Sequence, residues 1–352
     1  MFFKKKNPIG LDIGSNYIKA VQLSTTKTGH ELAFAAMLPL PPETIVEGAI
    51  TDKDKLVASL KELMKKSGVK SGDVVAGVSG HSSVIIKKIT IPVMSESELA
   101  TSIRYEAEQY IPFDISDVNL DFQILGNKAG EEGQMDVVLV AVKKNVISDY
   151  IEVIERAGLE PVIVDVDSFA LNNMYEANYD ITGNKNVALV NIGASKTNIN
   201  ILQGGLPIFT RDSAIGGNLH TESLERTLDI SREDAERIKK GQAVEGVSPV
   251  DAQAALNTAS DEIYTEIYRS FEYFRSSVGE EDVSEILLSG GTVMMKDFPS
   301  MMAGRLGMQV EVVDPFRNIR ISEKLDAAYI KEIAPVVAVS VGLALRREGD
   351  RE

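Results

Sequence analysis

Two short stretches carry residue types that could grip a phosphate chain. In "LDIGSN", Asp12 ends an apolar run and Ile13, Gly14, Ser15 and Asn16 follow, with Lys19 a little further on. A carboxylate at the end of a buried strand can hold Mg2+ through its water shell, because Mg2+ dehydrates reluctantly and accepts few protein ligands. Gly14 lets the backbone come close, so the turn can aim N–H groups and the Ser15 hydroxyl at phosphate oxygens, while Lys19 adds a point charge. Alone, Asp-Ile-Gly is commonly no more than a hairpin turn. "LVNIGASKT" repeats the pattern: Asn191 and Ile192, then Gly193, Ala194, Ser195, Lys196 and Thr197. Two such corners facing each other would clamp a polyphosphate with a metal between them. A third stretch, "LSGGTVMMKDF", sets Gly290, Gly291 and Thr292 between a strand and a helix, where bare backbone can lie against a purine or ribose. Neither a Walker A pattern nor Gly-x-Gly-x-x-Gly occurs, so a nucleotide would bind by the paired-hairpin route.

The elements that must position these corners are legible in outline. Each corner reads as the tip of a strand–turn–strand unit. Leu56, Leu60, Leu63 and Met64 form one helical stripe that Gly68 ends. Ser95 and Glu98 form a capping box ahead of a helix carrying Leu99, Ile103, Ala107 and Tyr110. Strands and two helices between about Ser83 and Gly158 suffice for an inserted subdomain, and Ser231 to Val278 reads as almost entirely helical. The sequence shows no short-period repeat besides the twin hairpins.

Composition bounds the function. The chain has 352 residues, 44% of them hydrophobic and 25% charged, which suits more than one packed unit. A net charge of −15 disfavours general nucleic-acid binding but leaves room for one basic cleft. There is no cysteine, and the three histidines, His30, His81 and His220, lack metal-ligand spacing. No run approaches the roughly 20 apolar residues of a membrane span. The tip from Phe2 and Phe3 to Lys4, Lys5 and Lys6 reads as a frayed leader rather than a membrane-touching patch. Together these features point to the cytoplasm.

The order of parts resembles the actin, heat-shock chaperone and hexokinase superfamily: first hairpin, "VDVDSF" before a helix, second hairpin, glycine corner, and the closing helix "APVVAVSVGLAL". The extra segment between the hairpins looks like that of the FtsA branch. "EAEQYIPFDISDVNLDFQIL" is similar to the signature segment of the PilM family of type IV pilus assembly proteins, and the likeness runs from Gly10 to about Arg346.

The resemblance implies an α/β actin-like ATPase fold, two similar lobes around a nucleotide cleft, with an FtsA-type insertion in the first. Its implied parts are 1–84 and 157–184 in subdomain 1A, 85–156 as the inserted subdomain 1C, 185–218 and 284–333 in 2A, 219–283 as 2B, and 334–352 as a closing helix returning to 1A. It implies ATP or ADP with Mg2+, Asp12 facing the metal and Gly14, Ser15 and Asn16 at the β-phosphate. The loop from Gly193 through Ala194, Ser195 and Lys196 to Thr197 would meet the terminal phosphate. Glu236 and Lys239, with Lys240 beside them, match the pair that reaches ribose and base, although by spacing alone they are an ordinary helical ion pair. Gly216, Gly217, Gly290, Gly291 and Thr292 would line the nucleoside pocket.

The implied partner is the cytoplasmic N-terminal tail of PilN, held in a groove between 1A and 1C and joined by further pilus proteins, among them the motor ATPases. The implied location is the inner face of the cell membrane, reached only through PilN, with the chain monomeric or weakly self-associating. Ile103, Tyr110 and the strand from Val84 to Ile91 are the places to seek the groove. One departure matters: Asn191 stands where the superfamily usually has aspartate. An amide cannot draw a proton from an attacking water, so hydrolysis should suffer more than binding. Asp165 and Asp167 are the candidates for a catalytic base, but they read rather as metal-shell or helix-start residues. Competing readings are an FtsA-type cytoskeletal filament and a small-molecule kinase.

Overall fold

The computed structural model describes residues 7–349 apart from 47, 69–71, 81, 82, 129, 182, 184, 279–281 and 348. The tip at Phe2 to Lys6 and His81 lie outside the described residues.

Two sheets share one topology. The first runs Gly29–Pro39, Tyr17–Thr26, Ile9–Ile13, Asp73–Val78 and Glu160–Val166, with Ile319–Ile321 added at the Gly29–Pro39 edge. The second runs Leu206–Ser213, Thr197–Gln203, Asn186–Ile192, Val283–Ser289 and Gln309–Val312. In each, a three-stranded antiparallel meander is followed by two parallel strands. The parallel strands are rich in Val, Ile and Leu because helices cover both of their faces.

A shared core joins the lobes. Val21, Leu23 and Val75 from the first sheet and Val187, Leu189 and Leu287 from the second pack around the helices Asp167–Asn178 and Ala338–Leu345. Glycine sets how close these elements lie: a Cβ on Gly342 would sit 1.7 Å from the Ala170 carbonyl oxygen, and one on Gly10 2.1 Å from that of Ser340. Contrary to the sequence reading, Ala327–Leu345 has the length and composition of a membrane span, with a mean hydropathy of 1.6. Two-thirds of it is buried, and a 3-10 turn at Ala334–Val337 divides it into two helices.

The insert is a three-stranded antiparallel sheet, Val84–Pro92, Gln134–Lys143 and Val118–Asn127 in spatial order. The helix Glu96–Ala107 covers one face, its start held by the Ser95–Glu98 capping box. Leu99, Ile103 and Ala107 fill that core with Ile89, Val137 and Leu139. Ile103 is therefore a core residue and does not line a groove. Tyr110 is half-buried beneath Lys87, whose Nζ lies 5.2 Å from the ring centre.

Two elements sit elsewhere than the sequence boundaries put them. The helix Lys144–Arg156 buries Tyr150, Val153 and Ile154 in the first-lobe core, because its apolar stripe faces that core rather than the insert's own. Ile319–Ile321, within the span given to the second lobe, pairs in parallel with His30–Leu32 and covers an edge of the first sheet. The 231–278 region is two helices, Arg232–Lys239 and Pro249–Val278, with a loop between them.

Candidate nucleotide cleft

The twin corners have one geometry. Ile13 pairs with Ile18 and Ile192 with Thr197, leaving four residues in each turn. The first turn residue of each closes it: Gly14 N–H donates to the Tyr17 carbonyl at 3.0 Å and Gly193 N–H to that of Lys196 at 2.9 Å. Asp12 occupies the register position before Ile13 and Asn191 the one before Ile192, so the two are equivalent.

The corners face each other across one cleft. Ser15 Oγ and Ser195 Oγ are 2.5 Å apart, and Asn16 Nδ2 donates to Asn218 Oδ1 at 3.1 Å. Lys19 Nζ donates to Asp12 Oδ2 at 2.8 Å, and both side chains are largely buried. Lys196 crosses the cleft: its Nζ donates to Ser79 Oγ and lies 3.5 Å from Asp167 Oδ2, to which Ser79 Oγ also donates. Asp12 and Asp167 therefore each have a lysine partner and Asp165 has Arg346, leaving little excess negative charge to repel an anionic ligand.

Asp12 and Asp167 also act on the helix behind them. Burial pushes the Tyr150 phenol above its ordinary pKa, and the charges of Asp167 and Asp12 add to the shift.

The glycines do more than leave space for a ligand. A Cβ on Gly216 would sit 2.7 Å from the Ala194 carbonyl oxygen and the Lys196 nitrogen; one on Gly217 would meet Thr292 Oγ1 at 2.4 Å. Gly290, at φ 95°, would drive a Cβ to 2.4 Å from the Ile192 carbonyl oxygen. Hydrogen bonds stitch the same backbones together: Gly217 N–H to the Gly193 carbonyl at 2.8 Å, Asn218 N–H to that of Ala194 at 2.7 Å, and Thr292 Oγ1 to that of Gly193 at 3.1 Å. These residues hold the second corner in shape. Gly291 differs, since a Cβ there would meet nothing within 4 Å. Thr197 turns its hydroxyl inward to the Ile215 carbonyl at 2.7 Å and is buried, so it braces the corner rather than facing the cleft.

Glu236 and Lys239 form a half-buried cluster with Thr221. Lys239 Nζ donates to Glu236 Oε1 at 2.8 Å, to Thr221 Oγ1 at 2.9 Å and to the Gly217 carbonyl at 3.1 Å; Thr221 Oγ1 donates to Glu236 Oε1 at 2.6 Å. Burial lowers the Lys239 pKa despite the neighbouring carboxylate. Burial works to raise that of Glu236, but the Lys239 charge and hydrogen bonds hold it below the ordinary value. Lys240 is exposed at the helix end. Beneath this cluster His220 is fully buried, with Nε2 2.9 Å from Ser260 Oγ, and burial and the Lys239 charge lower its pKa to about 4.

Sequence reasoning missed Ser79, Asn218 and Thr221 at this cleft. Ser79 follows the central parallel strand Asp73–Val78, and the carboxyl ends of parallel strands are where open α/β sheets bind ligands. That position is a readable signal; Asn218 and Thr221 are not distinguishable from ordinary helix residues. Among the described residues no group of three or more His, Cys, Asp or Glu could hold a metal ion. The donor set fits Mg2+ only in the form that leans on one carboxylate, ligand phosphates and water.

A family model described as the type IV pilus assembly protein PilM matches residues 10–348. The chain belongs to the PilM family. It is similar to a chain of a solved PilM–PilN type IV pilus biogenesis complex, with 28% identity, a TM-score of 0.86, and 97% of this chain and 98% of that one covered. The cell division protein FtsA of Bacillus subtilis strain 168 is 24% identical over 258 residues, 66% of this chain and 57% of FtsA. The match thus spans little more than half of that relative's length. MreB5 of Spiroplasma citri, solved with ADP bound, is 13% identical at a TM-score of 0.50, with 95% and 94% of the two chains covered. These likenesses establish the PilM family's actin-like ATPase fold for this chain, with FtsA as a sequence relative.

Proposed function

We propose that this chain is a Mg-ATP-binding adaptor of the type IV pilus assembly platform and that nucleotide state tunes its grip on the cytoplasmic N-terminal tail of PilN. The observation that carries the cleft reading is the pair of equivalent corners meeting at Ser15 and Ser195, within a chain of the PilM family. The Ser15 and Ser195 hydroxyls that now meet would part and turn to a triphosphate lying between the corners, as small polar turns do toward anions. Asp12 would hold Mg2+ through water, Lys19 and Lys196 would balance phosphate charge, and Glu236 and Lys239 would meet the ribose and base. Mg2+ supplies charge neutralisation between the phosphates when bound; the protein's part is to orient the chain and exclude water.

The chain's own acids explain why turnover should be slow. Asn191 has no proton-accepting oxygen of carboxylate basicity, and the Ser79 hydroxyl donates to Asp167. A linear tail that orders on binding must recover its lost entropy by burying side chains, so the tail's groove between the first lobe and the insert is partly apolar. The adaptor works in the cytoplasm at the inner face of the membrane, brought there by PilN, with further pilus proteins joining the same platform.

The test is calorimetric titration of the purified chain with a synthetic PilN tail, with and without Mg-ATP. The reading expects Mg-ATP to bind and to change tail affinity about fivefold or more, the lower range of ordinary coupling. Tail affinity indifferent to bound Mg-ATP would remove nucleotide tuning; failure of Mg-ATP to bind would remove the cleft assignment.

A further inference from the structure

One row of polar side chains crosses the second sheet on its cleft-facing side. Register sets Ser289 beside Asn191, Asn191 beside Asn198, and Asn198 beside Asp212. Residues directly opposite on neighbouring strands share a face. The alternate residues Val190, Ile192, Ile199 and Leu288 turn the other way, into the second-lobe core. Ser289 Oγ donates to Asn191 Oδ1 at 3.2 Å, and Asn198 Nδ2 donates to Asp212 Oδ1. The row then leaves its own lobe: Asp212 Oδ2 accepts the backbone N–H of Gly80 at 2.8 Å.

Gly80 is the root of the inserted subdomain. Its carbonyl accepts the N–H of Ser83 at 3.0 Å and of Val84 at 2.9 Å, and the Ser83 carbonyl accepts the N–H of Lys143 at 3.0 Å. Val84 opens the inserted sheet and Lys143 closes its long middle strand, so one small corner holds both ends. The corner's shape depends on residue type, since Gly80 has φ 137°, a conformation side chains rarely adopt. The preceding residue, Ser79, is the one that Lys196 reaches from the phosphate corner. The second lobe thus grips two successive residues of the root by two routes, and only one route uses a group that a phosphate would attract.

We propose that the Ser79–Gly80 corner relays nucleotide occupancy to the inserted subdomain, with Asp212 as the second lobe's handle on it. Lys196 exchanges Ser79 and Asp167 for the more highly charged phosphates. The second lobe shifts as the corners separate, and the Asp212–Gly80 hydrogen bond carries that shift into the strands that start at Val84 and end at Lys143. Asp212 is a positioning residue and touches no nucleotide. The relay rests on the reading of the cleft as a Mg-ATP site.

Hydrogen exchange of the full chain, read by mass spectrometry with and without Mg-ATP, tests it. In the unaltered chain Mg-ATP should change protection of amides in 84–92 and 134–143 about fivefold or more, as ordinary coupling between sites does. Asp212→Ala should bind Mg-ATP within about twofold of the unaltered chain yet lose that response at the insert. Asp212→Asn should restore it, because the Asn198 amide can turn to offer its oxygen and leave the new carbonyl for Gly80. Should Asp212→Ala not fold, Asp212→Leu fills the same space without an acceptor. A full response at the insert in the Ala or Leu variant would overturn the relay, as would no response in the unaltered chain despite bound Mg-ATP. No Mg-ATP binding at all would overturn the cleft reading instead.

Discussion

His220 gives a prediction whose size follows from its surroundings. The ring is fully buried, contacts Ser260 through Nε2 and lies edge-on to Phe298, with ring centres 5.9 Å apart. Burial and the nearby Lys239 charge lower its pKa from 6.5 to about 4, so the folded chain holds it neutral. Protonation then favours the unfolded chain. The contribution is intact above the unfolded value of 6.5 and is lost as pH falls from there towards 4. A difference of about 2.5 pKa units corresponds to about 3 kcal/mol once pH is below both values, and about 2 kcal/mol of it is gone at pH 5. His220→Gln keeps a hydrogen-bonding group near Ser260 but does not titrate. Urea unfolding of both proteins at pH 7, 6 and 5 isolates the effect from the carboxylates they share. The stability of the unaltered chain relative to His220→Gln should fall by about 2 kcal/mol between pH 7 and 5. A difference that stays constant across that range would refute the reasoning. Because His220 supports the helix that carries Thr221 to Glu236 and Lys239, Mg-ATP affinity should weaken over the same interval.

Two substitutions probe the cleft itself. Asp12→Ala should weaken Mg-ATP binding about tenfold or more, the order expected for losing one charge-assisted interaction, while circular dichroism shows the fold retained. Unchanged affinity in calorimetry would mean that Asp12 does not serve the metal. Asn191→Asp should raise ATP turnover, toward the range of about 100-fold that a positioned base contributes, with little change in affinity. A phosphate-release assay showing an equal or lower rate would remove the account of slow hydrolysis.

The two corners were legible because one residue pattern, Ile-Gly followed by a small polar turn, recurs at strand ends, and backbone pairing alone fixes such turns. Their apposition was not written locally: Ser15 and Ser195 meet only because two sheets of like topology pack on the Asp167–Asn178 and Ala338–Leu345 helices. The glycines at 216, 217 and 290 stand as nucleoside-pocket residues by resemblance, and the structure gives them a different reason, backbone against backbone within the second corner, which no spacing rule reveals. Thr197 was read as a phosphate contact from its place in a polar loop, yet its side chain turns toward Ile215. The place of Ser79 at the end of a central parallel strand is legible, but its partners Asp167 and Lys196 are remote in sequence and come together only across the cleft. The helix Lys144–Arg156 completes the first-lobe core rather than the insert's own, and the strand Ile319–Ile321 joins the first sheet rather than the second lobe, since an apolar stripe or a short edge strand does not say which core or edge it completes.

The most direct test of the facing corners uses the absence of cysteine from the natural chain. In the double variant S15C/S195C, the two sulfur atoms replace hydroxyls now in contact and are close enough to form a disulfide. Mild oxidation without nucleotide should link residues 15 and 195, and saturating Mg-ATP should suppress the link by holding the corners apart around the triphosphate. Failure to link without nucleotide, or equal linking with Mg-ATP bound, would contradict a cleft in which a triphosphate separates the two corners.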